Sequence, residues 1–78
     1  MAGPTRNRTM SEAEAESFII SLLKARGPMT TMGVEQLART EGKHCPDRTV
    51  MFLTKMMKKG LICGEVSIER RGWLWSLP

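Results

Sequence analysis

Apolar residues recur at three- and four-residue spacing through Ala15, Phe18, Ile19, Leu22 and Leu23, which places them on one stripe of a helix. Ser11 stands where an N-cap belongs, and Glu14 three residues later completes the pattern of a capping box. Glu12, Glu14 and Glu16 put carboxylates near the positive end of the helix dipole. Gly27-Pro28 stops the run, so the pattern predicts a first helix over residues 11–26. Met29-Thr30-Thr31 reads as a short extended link whose threonines can cap the next helix. A second helix is expected over 32–41, burying Val34, Leu37 and Ala38 and ending at Gly42. Pro46 and Asp47 suit the start of a third helix, because proline in a first turn needs no amide donor. That helix is expected to run to Lys59 and end at Gly60.

After Gly60 the period changes from about three and a half to two. Val66-Ser67-Ile68-Glu69 and Trp73-Leu74-Trp75-Ser76-Leu77 alternate as strands do, with Arg70-Arg71-Gly72 as the turn between them. Val66 and Ile68 are expected on the same side as some combination of Trp73, Trp75 and Leu77, with one tryptophan, Trp75, packed onto helix 1 or helix 3. The segment 29–31 is a candidate third strand beside this hairpin. Residues 1–10 show no periodicity and read as a mobile tail, leaving 11–78 as one domain. The fold class expected is α+β, a three-helix bundle with a C-terminal β-hairpin.

Helix 3 has two faces. With residues about 100° apart, Thr49, Val50, Leu53, Met56 and Met57 share one arc suited to a core. Asp47, Arg48, Met51, Lys55, Lys58 and Lys59 fall opposite, with Phe52 and Thr54 at the borders. No Glu precedes one of these lysines by four residues, so no helical ion pair of that kind is expected.

Charge sharpens this picture. The cations and carboxylates of residues 1–42 balance, so the whole net charge of +4 lies in residues 43–78. There Lys43, Arg48, Lys55, Lys58, Lys59, Arg70 and Arg71 outnumber Asp47, Glu65 and Glu69. A one-sided positive field favours a polyanionic partner.

Other chemistries find little support. The chain has 2 cysteines and 1 histidine, too few ligands for a structural zinc site, which needs about four. Cys45 and Cys63 are expected as small, partly buried thiols, and no metal or cofactor is expected. The serines lack a nearby histidine, and glycine-rich phosphate loops are absent, so no enzyme is expected. No apolar run approaches the ~20 residues that cross a bilayer, and the first residues lack the apolar core of a secretory signal. An intracellular protein without a membrane partner is the expectation.

The order of elements, with MTTMGVEQLA, PDRTVMFLTKMMKKGLI and ERRGWLWSLP, resembles winged helix-turn-helix domains of the penicillinase-repressor type over residues 11–78. The most specific part is the run from Thr49-Val50 to Lys58-Lys59-Gly60-Leu61-Ile62, a recognition helix that ends in glycine and enters the first wing strand. The resemblance implies that helix 3 enters the major groove of double-stranded DNA and that the hairpin wing touches backbone or minor groove. By position it makes Arg48, Met51, Lys55 and the border residue Phe52 groove-facing candidates. Lys58, Lys59, Arg70 and Arg71 become phosphate candidates, with Lys43 in the preceding turn and Thr31 as a hydroxyl donor. Only Arg48 and Thr49 near the start of helix 3 are residues that usually read bases, so limited base specificity is expected. A narrower likeness is to Z-alpha domains, which end in a wing tryptophan as Trp75-Ser76-Leu77 does. Their helix-3 asparagine and tyrosine would fall near Val50 and Thr54 here, and their wing proline pair is missing.

Two functions are therefore expected candidates. One is a small DNA-binding transcriptional regulator using helix 3 and the wing. The other is a winged-helix interaction module of a larger complex, with Met51, Phe52 and a wing tryptophan as its protein contact. A monomer and a homodimer through helix 1 both fit the sequence.

Overall fold

The computed structural model describes residues 8–78 and shows a small α+β domain with three helices and a three-stranded antiparallel sheet. In chain order the elements are β1 (Arg8–Thr9), α1 (Glu12–Arg26), β2 (Met29–Thr30) and α2 (Thr31–Thr40). They continue with β3 (Lys43–His44), α3 (Thr49–Lys58), β4 (Cys63–Ser67) and β5 (Gly72–Ser76). No helix among the described residues is long and apolar enough to cross a membrane.

The capping box expected at α1 forms. Ser11 Oγ accepts from the Glu14 amide at 3.2 Å, and Glu14 Oε1 accepts from the Ser11 amide at 3.1 Å. At the other end Gly27 takes a left-handed φ of 80°, and its N–H donates to the Leu23 carbonyl. α1 buries Ala15, Ile19, Leu22 and Leu23, with Phe18 half-buried beside them. Thr30 caps α2 by accepting from the Gly33 amide at 3.1 Å. This places the helix start one residue before the expected position.

The hairpin forms as the alternation implied, and Met29–Thr30 pairs with it as the third strand. The sheet order is β2-β5-β4, with Met29 opposite Trp75, Gly64 opposite Trp75 and Val66 opposite Trp73. Directly opposed residues share a face, so Gly64, Val66, Trp73 and Trp75 lie on one side of the sheet. Trp75 is fully buried, and its indole N–H donates to Thr31 Oγ1 at 2.8 Å. A buried indole needs such an acceptor, and here α2 supplies it.

Three expectations need correction. The first concerns the N-terminal tail: residues 8–10 are part of the fold. β1 runs parallel to β3, the Met10 amide donates to the His44 carbonyl at 2.7 Å, and the Met10 side chain joins the core. Residues 1–7 of that tail lie outside the described residues. The second concerns α3, which begins at Thr49 rather than at Pro46 or Asp47. Pro46 and Asp47 form a bend between β3 and the helix, and Arg48 takes the N-cap position without a side-chain bond.

The third is the rotation of α3. Phe52 is 2% exposed and packs with Leu53 and Met56, whereas Val50 is 38% exposed. Angular spacing counts every apolar residue equally, but burying a phenylalanine removes more apolar area from water than burying a valine. The helix turns accordingly. The core thus gathers Met10, the α1 stripe, Val34, Phe52, Leu53, Met56, Ile62 and Trp75. Both cysteines are free, Cys45 half-buried and Cys63 exposed on β4 rather than partly buried. Burial raises the Cys45 thiol pKa above its usual value.

Candidate nucleic-acid interface

Three segments meet on one side of the domain. A cleft of about 420 Å³ has the first turn of α2 as one wall, through Thr31, Met32 and Glu35. Val50 of α3 borders it, and Arg70, Arg71 and Trp73 of the hairpin form the opposite wall. Val50 also belongs to a neighbouring hollow along α3 with Met51, Thr54, Lys55 and Lys58. Glu35 links the cleft in turn to a depression that contains Asp47 and Arg48. The exposed face of α3 and the hairpin tip therefore form one continuous surface.

Local structure explains these positions. Strand pairing ends at Ser67 opposite Gly72, which leaves Ile68, Glu69, Arg70 and Arg71 as the turn. The Arg71 amide donates to the Ile68 carbonyl at 3.2 Å, and the Arg70 amide donates to Ser67 Oγ at 3.2 Å. Arg71 closes this turn with φ of 58°, the one left-handed non-glycine among the described residues. Such a backbone costs a side-chain-bearing residue roughly 1–2 kcal/mol.

The proposed site residues divide into four groups. Arg48, Lys58, Arg70 and Arg71 are exposed on this surface, and none has an ion pair among the described residues. Lys55 lies on it too, but its ammonium bonds Asp47 Oδ2 at 2.7 Å. Met51 is exposed beside Lys55 and Lys58, and Thr31 lines the cleft while accepting from Trp75.

Lys59 is directed at α1 instead, and Lys43, though it lines the depression with Arg48, is engaged by its own neighbours. Lys59 Nζ sits 2.8 Å from Glu12 Oε2 and 2.6 Å from Glu16 Oε2. The hydrogen bonds that Lys59 donates to those two carboxylates push its pKa up to about 12, and the same bond lowers that of Glu12. Lys43 lies 3.6 Å from Glu41 Oε1, with its ammonium 4.8 Å from the centre of the Phe18 ring. Of the seven cations named as candidates, four have no ion pair among the described residues. Phe52, expected as a groove or partner contact, is in the core and reaches neither.

The structure adds apolar residues to the surface that charge counting missed. Met32 and Val50 are exposed in the cleft, and Val66 and Ile68 are exposed on the hairpin. Trp73 is 37% exposed and stacks on Trp75, with ring centres 5.3 Å apart and an angle of 16°. The alternation in β5 already marks Trp73 and Trp75 as same-face neighbours. Nothing local in the sequence signals that Met32 borders them.

Compared with known proteins, the chain matches no family model, no curated protein and no solved structure.

Proposed function

We propose that this domain is a winged helix that binds nucleic acid, with double-stranded DNA as the favoured partner and transcriptional regulation as its role. In this reading α2 and α3 are the helix-turn-helix, α3 faces the major groove, and the β4–β5 hairpin is the wing. The observation that carries it is the set Arg48, Lys58, Arg70 and Arg71 on the continuous α3–hairpin surface, all without carboxylate partners among the described residues. Arg71 supports it further, since a left-handed arginine holds a cation where glycine would fit at lower conformational cost. Lys55 can join this set, because an exposed ion pair is worth only ~0–1 kcal/mol and a phosphate can displace Asp47.

Four phosphate contacts predict that the logarithm of affinity falls with the logarithm of salt at a slope of about −3.6. Arg71→Glu and Lys58→Glu should each weaken duplex binding and reduce that slope, as read by fluorescence anisotropy at several salt concentrations. Lys59→Gln should leave both unchanged, because Lys59 faces α1. Equal losses for all three variants, or none, would reject this interface.

A second reading rests on the exposed apolar residues Met32, Met51, Val66 and Ile68, the last 91% exposed. They support a protein-interaction module, and concentration-dependent sedimentation abolished by Ile68→Ser would favour it.

A further inference from the structure

We infer that the cleft between α2 and the hairpin receives an unpaired nucleobase against Trp73, so the domain prefers nucleic acid that offers one over an uninterrupted duplex. The inference rests on the nucleic-acid reading above and specifies what this part of the surface recognises.

Trp73 carries the argument. It gives one ring face to Trp75, and its exposed remainder lines the cleft. Trp75 is itself immobilised, fully buried and hydrogen-bonded to Thr31, so Trp73 rests on a fixed support. An indole held flat, partly exposed and backed in this way is a stacking platform for a planar ring. The cleft volume of about 420 Å³ falls within the ~300–1,000 Å³ of clefts that hold small organic groups. Met32 and Val50 add apolar contact at its border.

Charge selects among planar occupants. Arg70 and Arg71 stand on the same wall as Trp73 and have no ion pairs among the described residues. Thr31 Oγ1 accepts from Trp75, and its own proton has no acceptor among the described residues. These groups can meet phosphates on either side of a stacked base. Glu35 is the one carboxylate among the described residues that line the cleft, and Arg39 engages it at 3.4 Å. An aromatic platform flanked by free cations fits a nucleotide, in which a flat base and anionic phosphates are covalently joined. A base paired within a continuous duplex stays stacked on its neighbours and cannot enter.

The test uses the full chain with three DNAs of one duplex sequence: blunt-ended, with a two-nucleotide overhang, and with the same overhang made abasic. The abasic overhang keeps the phosphates and removes the bases. The overhang with bases is expected to bind roughly 5- to 150-fold tighter than the abasic one, the range expected for loss of one stacked base. Tryptophan fluorescence should be quenched only by the DNA whose overhang carries bases, and Trp73→Phe should remove the quenching, since the buried Trp75 is then the sole indole. Trp73→Ala, checked for folding by circular dichroism, should abolish the difference between the two overhangs while keeping salt-dependent duplex binding. Equal affinity for the two overhangs in the unmodified protein, or a difference that survives Trp73→Ala, overturns the inference and leaves duplex binding standing. Failure to bind any of the three DNAs removes both readings.

Discussion

Replacing Gly64 by alanine tests the packing that supports the cleft. A Cβ built at Gly64 would lie 2.7 Å from Trp75 Cε3 and 3.2 Å from Met57 Sδ, and would press on Trp75 Cζ3 as well. Carbon atoms pack best about 3.5–4.0 Å apart, so the indole would have to retreat by roughly 1 Å. It has little room to do so. The ring is buried, stacked on Trp73 and tied to Thr31 Oγ1 at 2.8 Å. Overpacking of this kind costs about 1–3 kcal/mol, and a weakened indole hydrogen bond adds about 1 kcal/mol. Alanine returns about 0.5–1 kcal/mol through the smaller backbone entropy of the unfolded chain. The expected net loss is about 2–3 kcal/mol, set against a stability of roughly 4–12 kcal/mol for a 78-residue chain. With a urea m-value near ~1 kcal/mol/M, the unfolding midpoint should fall by about 2–3 M. In a Trp75→Phe background the same alanine should cost much less, because the benzo ring it strikes is gone. A midpoint shift below about 0.5 M, or an equal shift in both backgrounds, would refute this account of Gly64.

Two further outcomes concern the hairpin turn and the α1–α3 ion pairs. Arg71→Gly should relieve the left-handed strain, with part of the gain lost to unfolded-chain entropy, raising stability by about 0.5 kcal/mol and Tm by roughly 2–4 °C. It should weaken duplex binding at the same time; a lower Tm or unchanged affinity would contradict the role given to this residue. For Lys59 the sign depends on both partners. Glu12 has its pKa lowered from 4.5, so its contribution is present above pH 4.5 and lost as pH falls through the lower folded value. Lys59 has its pKa raised from 10.5 to about 12, so its contribution is present below pH 10.5 and lost as pH rises through about 12. The stability difference between the unmodified protein and Lys59→Gln should be largest between these limits and shrink with added salt, measured by urea unfolding. A difference independent of pH and salt would show that the charges contribute nothing.

How far the sequence revealed this fold depended on the range of each interaction. Ser11 and Glu14 mark the start of α1 because a capping box spans three residues, and period-two alternation marks the hairpin because strand faces repeat locally. The pairing of Met29–Thr30 with β5 was legible too, from an extended segment placed beside an alternating one. The strap at Arg8–Thr9 was not, because two residues in parallel pairing leave no period to detect. Of the candidate residues, Arg48, Met51, Lys55, Lys58, Arg70, Arg71 and Thr31 line the adjoining hollows of α2, α3 and the hairpin. Lys59 does not, and its partners Glu12 and Glu16 lie 47 and 43 residues away, far beyond the helical spacing by which pairs are sought. Asp47 escaped for a related reason: it precedes α3, eight positions from the lysine it binds. Phe52 was misplaced because it stood on the border between two arcs, where side-chain volume decides the outcome.

The bond from Trp75 to Thr31 acts as a strut between hairpin and helix. The strand that carries Trp73 and the helix turn that carries Met32 are joined at their base, so the groove between them resists both gaping and clamping shut. A ligand that fits meets a mould already set, sacrifices little chain freedom of the host on docking, and can arrive and leave without waiting for a slow rearrangement.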